Sequence, residues 1–521
     1  MKTRQISQLS APEIDAKFAH QAAQIAALEH QLDWFKRQLF GRKSEKQLID
    51  NPNQTPLFQT ETPCEVEPPK TEVKAHKRKS NTQRDGDEVN DSGLRFDDTV
   101  PKKVIELSAP ELEGDDADQY DIIDYKETFR LAQQPGSYMI LVYRRPVLRH
   151  KSNQTLSTPA APSNVLDGCY ADVSLLAGLM VDKAVYHLPL YRQHQRLLDS
   201  GIRISRASLI NWVQKGIALL TPIAQAMKQH ILQSKVLAMD EVPIKAGRKS
   251  QGKMKQTYFW PIYGDSDEVA FTWSASRGQQ HAIEQLTGFN GTLLTDGYAA
   301  YSKTIEQLNQ QAQGITHATC WTHARRKFEQ ALTMEPVESQ QALDTIAQLY
   351  RIEKRLRQEL ADGHTIQQTR TKDSEPVVHH FFKWVYQQRQ RVELLPSNPL
   401  SKALNYVAER EAELKVFLAN PQVSLDTNHL ERALRVIPMG RKNYLFCWSE
   451  LGAEQLGLLQ SLMVTCRLQD VNPYHYLVDV LQRISQHPAK DVMDLTPRRW
   501  KTLFAANPLT SDLQQPVHDE S

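Results

Sequence analysis

Two aspartates end apolar stretches that read as β-strands: Asp240 in SKVLAMDEVPIKA and Asp296 in GTLLTDGYAAY. Between them TYFWPIYG and EVAFTWS form a hairpin around DSD, and RGQQHAIEQLTGF reads as a helix. The order is therefore strand, strand, strand, helix, strand. In an open α/β sheet, chemistry gathers at the carboxyl ends of the strands. If the first and fourth strands are neighbours, the two carboxylates converge there, and carboxylate oxygens are the ligands that hard cations such as Mg²⁺ take. A further acid, Glu431, stands in NHLERALRVIPMGRKNYLF, among arginines and ahead of a proline that stops its helix. Taken alone, this glutamate needs no chemistry. Arg435 lies four residues on, a spacing at which an exposed helix gains about 0.3 to 0.5 kcal/mol from an ion pair.

The elements that must position these groups belong to a large chain. Its 521 residues are too many for one core and imply several domains. The formal net charge is only +2, so affinity for nucleic acid has to come from local patches such as KAHKRK, HARRKF and GRKN. The opening MKTRQISQLSAPEID has no apolar core of signal-peptide length, and the apolar run Leu175 to Val181 is broken by Asp182 and Lys183. A cytoplasmic protein is expected. Five scattered cysteines without a Cys-x-x-Cys pair fit reduced thiols and argue against a disulfide framework.

Near the N-terminus, Phe18, Ile25, Leu32 and Leu39 recur every seven residues, with Ile14, Leu28 and Phe35 in the second register. This seam fits a short coiled coil and hence a homo-oligomer, or an amphipathic helix packed on its own chain. A Pro-, Gln- and Thr-rich stretch follows and reads as a flexible linker. KVIEL, YDIIDYKETFRLA and SYMILVYRRPVLRH, with QPGS as a turn, predict a small β-rich module. In LPLYRQHQRLLDSGIRISRASLINWVQKGI a helix from about Leu188 to Asp199 breaks at Ser200-Gly201, and Ser205 caps a second helix with Leu209, Trp212 and Val213 inward. That is the helix-turn-helix pattern, or else a plain helical hairpin. Arg206, Ser208 and Asn211 face outward, available to bases or phosphates.

The strand order and the spacing of Asp240 and Asp296 resemble the ribonuclease-H-like core of the DDE transposases and integrases, in which a third acid lies on a later helix. Glu431 is the candidate, and the interval before it is filled by helical patterns, as in relatives that carry a helical insertion. More particularly, LFGRKSEK, HLPLYRQ, MDEVPIK, LLTDGYAAY, CWTHARRKF, NPLSKALNYV, NHLERALR and GRKNYLF resemble, in the same order, the large transposase of the insertion sequence sixty-six family.

The resemblance implies metal-dependent cleavage and joining of double-stranded DNA at the terminal inverted repeats of a bacterial element and at target DNA. It also implies companion proteins from the same element. Asp240, Asp296 and Glu431 would be both catalytic residues and ligands of two Mg²⁺ or Mn²⁺ ions, with Asp240 bridging the pair. Arg325, Arg326, Arg432, Arg435, Arg441 and Lys442 would hold DNA phosphates. Tyr444, Phe446 and Trp448 could stack on a base, but core packing is the expected role. Cys320 and His323 match the family's Cys-x-x-His element. One short segment does not complete a tetrahedral zinc site, so a structural or DNA-positioning role is expected of them and zinc is not. Many relatives carry two Cys-x-x-Cys pairs before the helix-turn-helix, whereas this chain has no cysteine between Pro101 and Ser163.

The expected architecture is a multidomain α/β chain with an RNase H-like core. It runs as a coiled coil at 13–47, a linker at 48–100, a β-rich module at 101–165 and a helix-turn-helix region at 166–230. The core follows at 231–327 and 421–470 around a helical insertion at 328–420, then a C-terminal helical region at 471–505 and a tail at 506–521. Two other readings use the same residues: a helix-turn-helix regulator with an inert core, and a metal-dependent nuclease without strand transfer.

Overall fold

A computed structural model describes residues 136–514 continuously, with residues 100–113 and 117–134 and a few isolated positions before them. The expected coiled coil at 13–47, nearly all of the linker at 48–100 and residues 515–521 of the tail lie outside the described residues.

Strands β1 (Lys102–Glu106), β2 (Tyr120–Gln134) and β3 (Ser137–His150) form a sheet in which β3 pairs with both others. Gly136, at φ 85°, supplies the left-handed residue of the β2–β3 turn. The period of two divides the sheet between two cores. Leu131, Ile140 and Val142 join the main core, while Ala132, Leu141 and Tyr143 pack on the other side. This cysteine-free module is therefore held by apolar packing on both faces.

Helix α1 (Val173–Ala184) is buried along most of its length and capped by Asp172, whose carboxylate accepts from the Ser174 N–H at 2.8 Å. Then come α2 (Leu190–Asp199), α3 (Arg206–Leu219) and α4 (Thr221–Ile231). Gly201, at φ 79°, makes the turn between α2 and α3, and Ser205 Oγ accepts from the Ser208 N–H at 3.0 Å. Leu209, Trp212 and Val213 are buried, as the pattern requires.

The central sheet contains β4 (Val236–Met239), β5 (Val242–Ser250), β6 (Lys253–Tyr263), β7 (Val269–Ser274), β8 (Gly291–Thr295) and β9 (Ile315–Thr319). Its order is β7-β6-β4-β8-β9, and β5 continues along β6 beyond the end of β4. β4 and β5 are thus one strand line interrupted at Asp240 and Glu241. The interruption has a local cause, because Asp240 Oδ1 accepts the N–H of Glu241 at 2.8 Å and competes with the sheet ladder. Helices α5 (Gln279–Leu286) and α6 (Ala299–Gln310) flank β8 in sequence. Alternation sends Leu237, Met239, Trp260, Ile262 and Leu293 to one face with Leu286, Tyr301 and Leu308, and Ala238, Phe259 and Tyr263 to the other.

After β9 the chain builds a helical body from α7 (Trp321–Ala331), α8 (Pro336–Gln358), α9 (Gly363–Thr369), a π turn at Arg370–Ser374, α10 (Glu375–Arg389), α11 (Pro399–Ala408) and α12 (Glu411–Ala419). Its own core holds Trp321, Phe328, Phe381, Phe382, Trp384 and Phe417. Within it, Arg370 grips Glu353 through Nε at 2.8 Å and Nη2 at 2.9 Å, and its Nη1 donates to the carbonyls of Phe417 and Asn420.

The chain then returns to the sheet in α13 (Asn428–Leu434) and α14 (Val436–Tyr444). Pro438 does not stop the helix of Glu431. That helix ends by itself at Leu434, the chain turns at Arg435, and Pro438 sits in the first turn of the next helix, where a missing N–H costs nothing. Leu430, Leu434 and Ile437 are buried against Ala238, Phe259 and Phe271, each worth roughly 1.5 to 3 kcal/mol of burial. Helix α15 (Glu450–Leu468) covers β7, and α16 (Pro473–Arg483) and α17 (Pro497–Leu503) pack into the main core through Leu477, Val480, Leu481 and Trp500. No described helix is long and apolar enough to cross a membrane.

Candidate active site

β4 and β8 run parallel and pair Val236 with Thr292, Leu237 with Leu293 and Ala238 with Leu294. Asp240 and Asp296 each follow directly on the end of their strand, so the register delivers both to the same edge. Their carboxylates and that of Glu241 lie within 4.8 Å of one another. Glu431 stands apart from that cluster but faces the same cleft, a space of about 1280 Å³ between the sheet end and the helical body.

The turn after β8 is held from several sides. Asp296 Oδ1 accepts from the Tyr298 N–H at 2.8 Å, and Thr295 Oγ1 accepts from the Gly297 N–H at 3.1 Å. From α11 and the residue pair that follows it, the Tyr406 hydroxyl donates to the Asp296 carbonyl at 2.6 Å and Arg410 Nε to the Gly297 carbonyl at 3.1 Å. Gly297 has φ 79°, and a Cβ there would lie 2.7 Å from Arg410 Nε and 2.9 Å from the Tyr406 hydroxyl. The helical body thus grips the backbone of the second acid.

Glu431 is held by the same body. Its Oε2 accepts from Arg326 Nη2 at 2.7 Å, so its ion pair is with α7 and not with Arg435 just past the end of its own helix. Oε1 is buried and has no hydrogen-bond partner among the described residues. His323 Nε2 lies 3.9 Å from Glu431, and burial first, then Arg326 and Lys327, hold this imidazole below its usual range against the pull of Asp296 and Glu431. Burial, then the like charges of Asp296 and Glu431, push the Asp240 carboxyl up to about 7 against Arg277 and Arg326.

Cys320 is packed against the loop before α13. Its thiol accepts from the Thr427 N–H at 3.3 Å and the Thr427 hydroxyl at 3.4 Å, fixing the loop that leads into α13, and burial pushes the thiol up. Of the proposed phosphate ligands, Arg325 is exposed and pairs with Glu329 at 2.9 Å, and Arg326 is committed to Glu431. Arg432 and Arg435 line the cleft, Arg441 Nη1 donates to the Pro243 carbonyl at 2.6 Å, and Lys442 is exposed. On the α2–α3 pair, Arg206 stacks over Tyr191 at 4.8 Å, Ser208 Oγ shares a hydrogen bond with Ser205 at 2.8 Å, and Asn211 is exposed. Core packing describes Tyr444 but not Trp448, which is 69% exposed with Arg248 over its ring at 5.7 Å. The segment carrying Trp448 lies along the edge of β5, bridged at Ala246 and Cys447, so its side chains alternate into solvent.

Sequence reasoning missed Glu241, Arg277 and Tyr301. The Asp-Glu doublet was a signal for the first of these. Nothing in SRGQQH marks Arg277, because its role depends on a contact across the fold.

The family described as Transposase IS66 family matches residues 168–455, which include all of the central sheet and the helical body. The chain belongs to the IS66 family of transposases. An IS66 C-terminal element matches residues 461–498, and a family described as Transposase C of IS166 homeodomain matches residues 27–89. Similar chains are uncharacterized proteins of Sinorhizobium fredii. The protein y4hP is 28% identical over 402 residues, spanning 74% of this chain and 72% of its own, and y4jD is 29% identical over 371 residues, spanning 68% and 71%.

Membership in a DDE transposase family implies a divalent metal, and the residues present fit one. The cluster offers carboxylate oxygens only, a donor set that suits hard divalent cations. The orphaned Glu431 Oε1 is a buried charge facing the cleft without a donor, which a cation would satisfy.

Proposed function

We propose that this IS66 family transposase cuts and joins DNA with Asp240, Asp296 and Glu431 as its catalytic acids. The observation that carries the reading is the convergence of Asp240 and Asp296 within 4.8 Å at the ends of adjacent parallel strands. Two Mg²⁺ or Mn²⁺ ions, when bound, neutralise the phosphodiester and activate the attacking oxygen.

The chain's own residues do the rest. Asp240 and Asp296 hold the cations at the sheet edge, and Glu431 contributes Oε1 from the facing helix. Arg326 keeps Glu431 oriented, while Arg432, Arg435 and Lys442 draw the DNA backbone toward the cleft. The α2–α3 pair presents Arg206, Ser208 and Asn211 to the terminal inverted repeats, and residues 13–47 join copies into a homo-oligomer. The protein works in the bacterial cytoplasm on the nucleoid, with companion proteins of its element.

The test uses full-length protein and duplexes carrying the element's ends. Asp240→Asn, Asp296→Asn and Glu431→Gln should each remove Mg²⁺-dependent cleavage while leaving duplex binding largely intact. Cleavage that survives Asp296→Asn would refute the assignment. Products joined to a second duplex separate the transposase from a nuclease, and no metal-dependent cleavage at all in the native protein would favour a regulator with an inert core. Arg206→Ala should weaken end recognition without changing cleavage of nonspecific DNA.

A further inference from the structure

The fourth carboxylate of the site is the one that the acid triad leaves unexplained. Glu241 lies within 4.8 Å of Asp240 and Asp296, yet its side chain is only 2% exposed and both of its oxygens are engaged. Oε1 accepts from both Nε and Nη2 of Arg277, and Oε2 accepts from the Tyr301 hydroxyl at 2.6 Å. A carboxylate gripped in this way would have to abandon a buried ion pair to reach a cation, leaving an arginine uncompensated.

Arg277 is fixed on its flat face as well. Its guanidinium lies 3.9 Å from the centre of the Tyr298 ring, and the N–H of Tyr298 donates to Asp296 Oδ1 at 2.8 Å. One residue therefore stacks the arginine and anchors the second acid. The arginine is close enough to Asp240 for its charge to draw that carboxyl down. Its Nη1 makes no hydrogen bond among the described residues, and the side chain is 41% exposed. The result is a guanidinium with a fixed plane, one edge committed to the protein and the rest partly exposed within reach of Asp240's charge, the geometry that suits a phosphate oxygen.

We propose that Glu241 is a positioning residue and not a metal ligand, and that the arginine it holds, Arg277, binds a phosphate of the DNA strand entering the acid site. This rests on the catalytic reading above and adds a phosphate subsite to it. Tyr301 and Tyr298 complete the mount.

Two readouts on the full-length protein test it: Mn²⁺ binding followed by titration in the absence of DNA, and the salt dependence of affinity for a random-sequence duplex in Ca²⁺. R277Q should bind Mn²⁺ at least as tightly as the native protein, because a neighbouring cation is gone. It should bind the duplex about tenfold more weakly, with a slope of log affinity against log salt shallower by about 0.9. R277K should recover part of the affinity, since it keeps the charge and loses the planar fork. E241Q should follow R277Q on DNA and keep Mn²⁺ binding. A native salt slope in R277Q would overturn the phosphate subsite, and loss of Mn²⁺ binding in E241Q with a native melting temperature would make Glu241 a ligand. Because Arg277 is part-exposed, R277Q decides the matter even if E241Q fails to fold. Failure of the underlying reading has a different signature, namely native Mn²⁺ binding in D240N.

Discussion

Gly297 is the residue through which the helical body grips the second acid, and replacing it with alanine measures that grip. The backbone there has φ 79°, so alanine pays the left-handed penalty of roughly 1 to 2 kcal/mol. The added methyl also meets Arg410 Nε at 2.7 Å and the Tyr406 hydroxyl at 2.9 Å, and either those side chains or the turn must move. Losing the neutral Tyr406 hydrogen bond costs about 1 kcal/mol, and the bond from the charged Arg410 somewhat more. The expected loss is about 2 to 4 kcal/mol, read by urea unfolding of the full chain followed through tryptophan fluorescence. The turn carries Asp296, so Mn²⁺ affinity should fall with stability. Tyr406→Phe leaves the glycine untouched and should weaken Mn²⁺ binding less. In the double variant the losses should not add, because both changes break the same contact. A Gly297→Ala protein with native Mn²⁺ affinity and a loss under about 1 kcal/mol would refute the idea that the helical body positions Asp296.

Asp240→Asn should stabilise the metal-free protein near neutral pH. The Asp240 carboxyl is raised to about 7 in the fold, so the stability linked to its protonation is present below the unfolded value near 4 and lost as pH rises through 7. Melting in EDTA should show the native protein losing stability over that window and D240N losing less; parallel curves would contradict the burial of this charge. Arg326→Gln removes a cation from the cleft and should tighten Mn²⁺ binding by a few fold, an effect that shrinks in high salt because Arg326 is part-exposed. Arg370→Ala strands Glu353 in the helical body and should cost about 3 to 5 kcal/mol in urea, much of it regained when Glu353 is also replaced by leucine.

The parts of this fold that were legible in sequence were those set by short-range pattern. Apolar runs gave β4, β6, β7 and β8, whereas the adjacency of β4 and β8 entered the sequence reading only as a condition that the sheet order meets. Helix starts were visible where a side chain caps them, as at Ser205. What could not be read were contacts between residues far apart in the chain. Arg435 had the local spacing to pair with Glu431, yet Arg326 holds it, because α13 turns its apolar stripe of Leu430 and Leu434 onto the sheet and so aims Glu431 at α7. Pro438 looked like a helix stop because proline is tolerated both after a helix and in the first turn of the next one, and sequence alone does not separate the two. Trp448 read as core by composition, but an edge position along β5 leaves it in solvent.

The charge pattern around these acids sets which of them is open to a cation. Around the sheet end stand four carboxylates, Asp240, Glu241, Asp296 and Glu431, and two arginines, Arg277 and Arg326, each pair with one of them. The acids left without an arginine are Asp240 and Asp296, the two that the strands bring together. Burial, then the like charges of Asp296 and Glu431, raise the Asp240 carboxyl, so that it holds a proton to higher pH than an ordinary carboxylate. Metal binding then has to displace that proton but no buried arginine, and its dependence on pH should centre near 7. Two of the four acids are thus paired with arginines and two are not, and on the proposed reading the unpaired two are the first to take a cation.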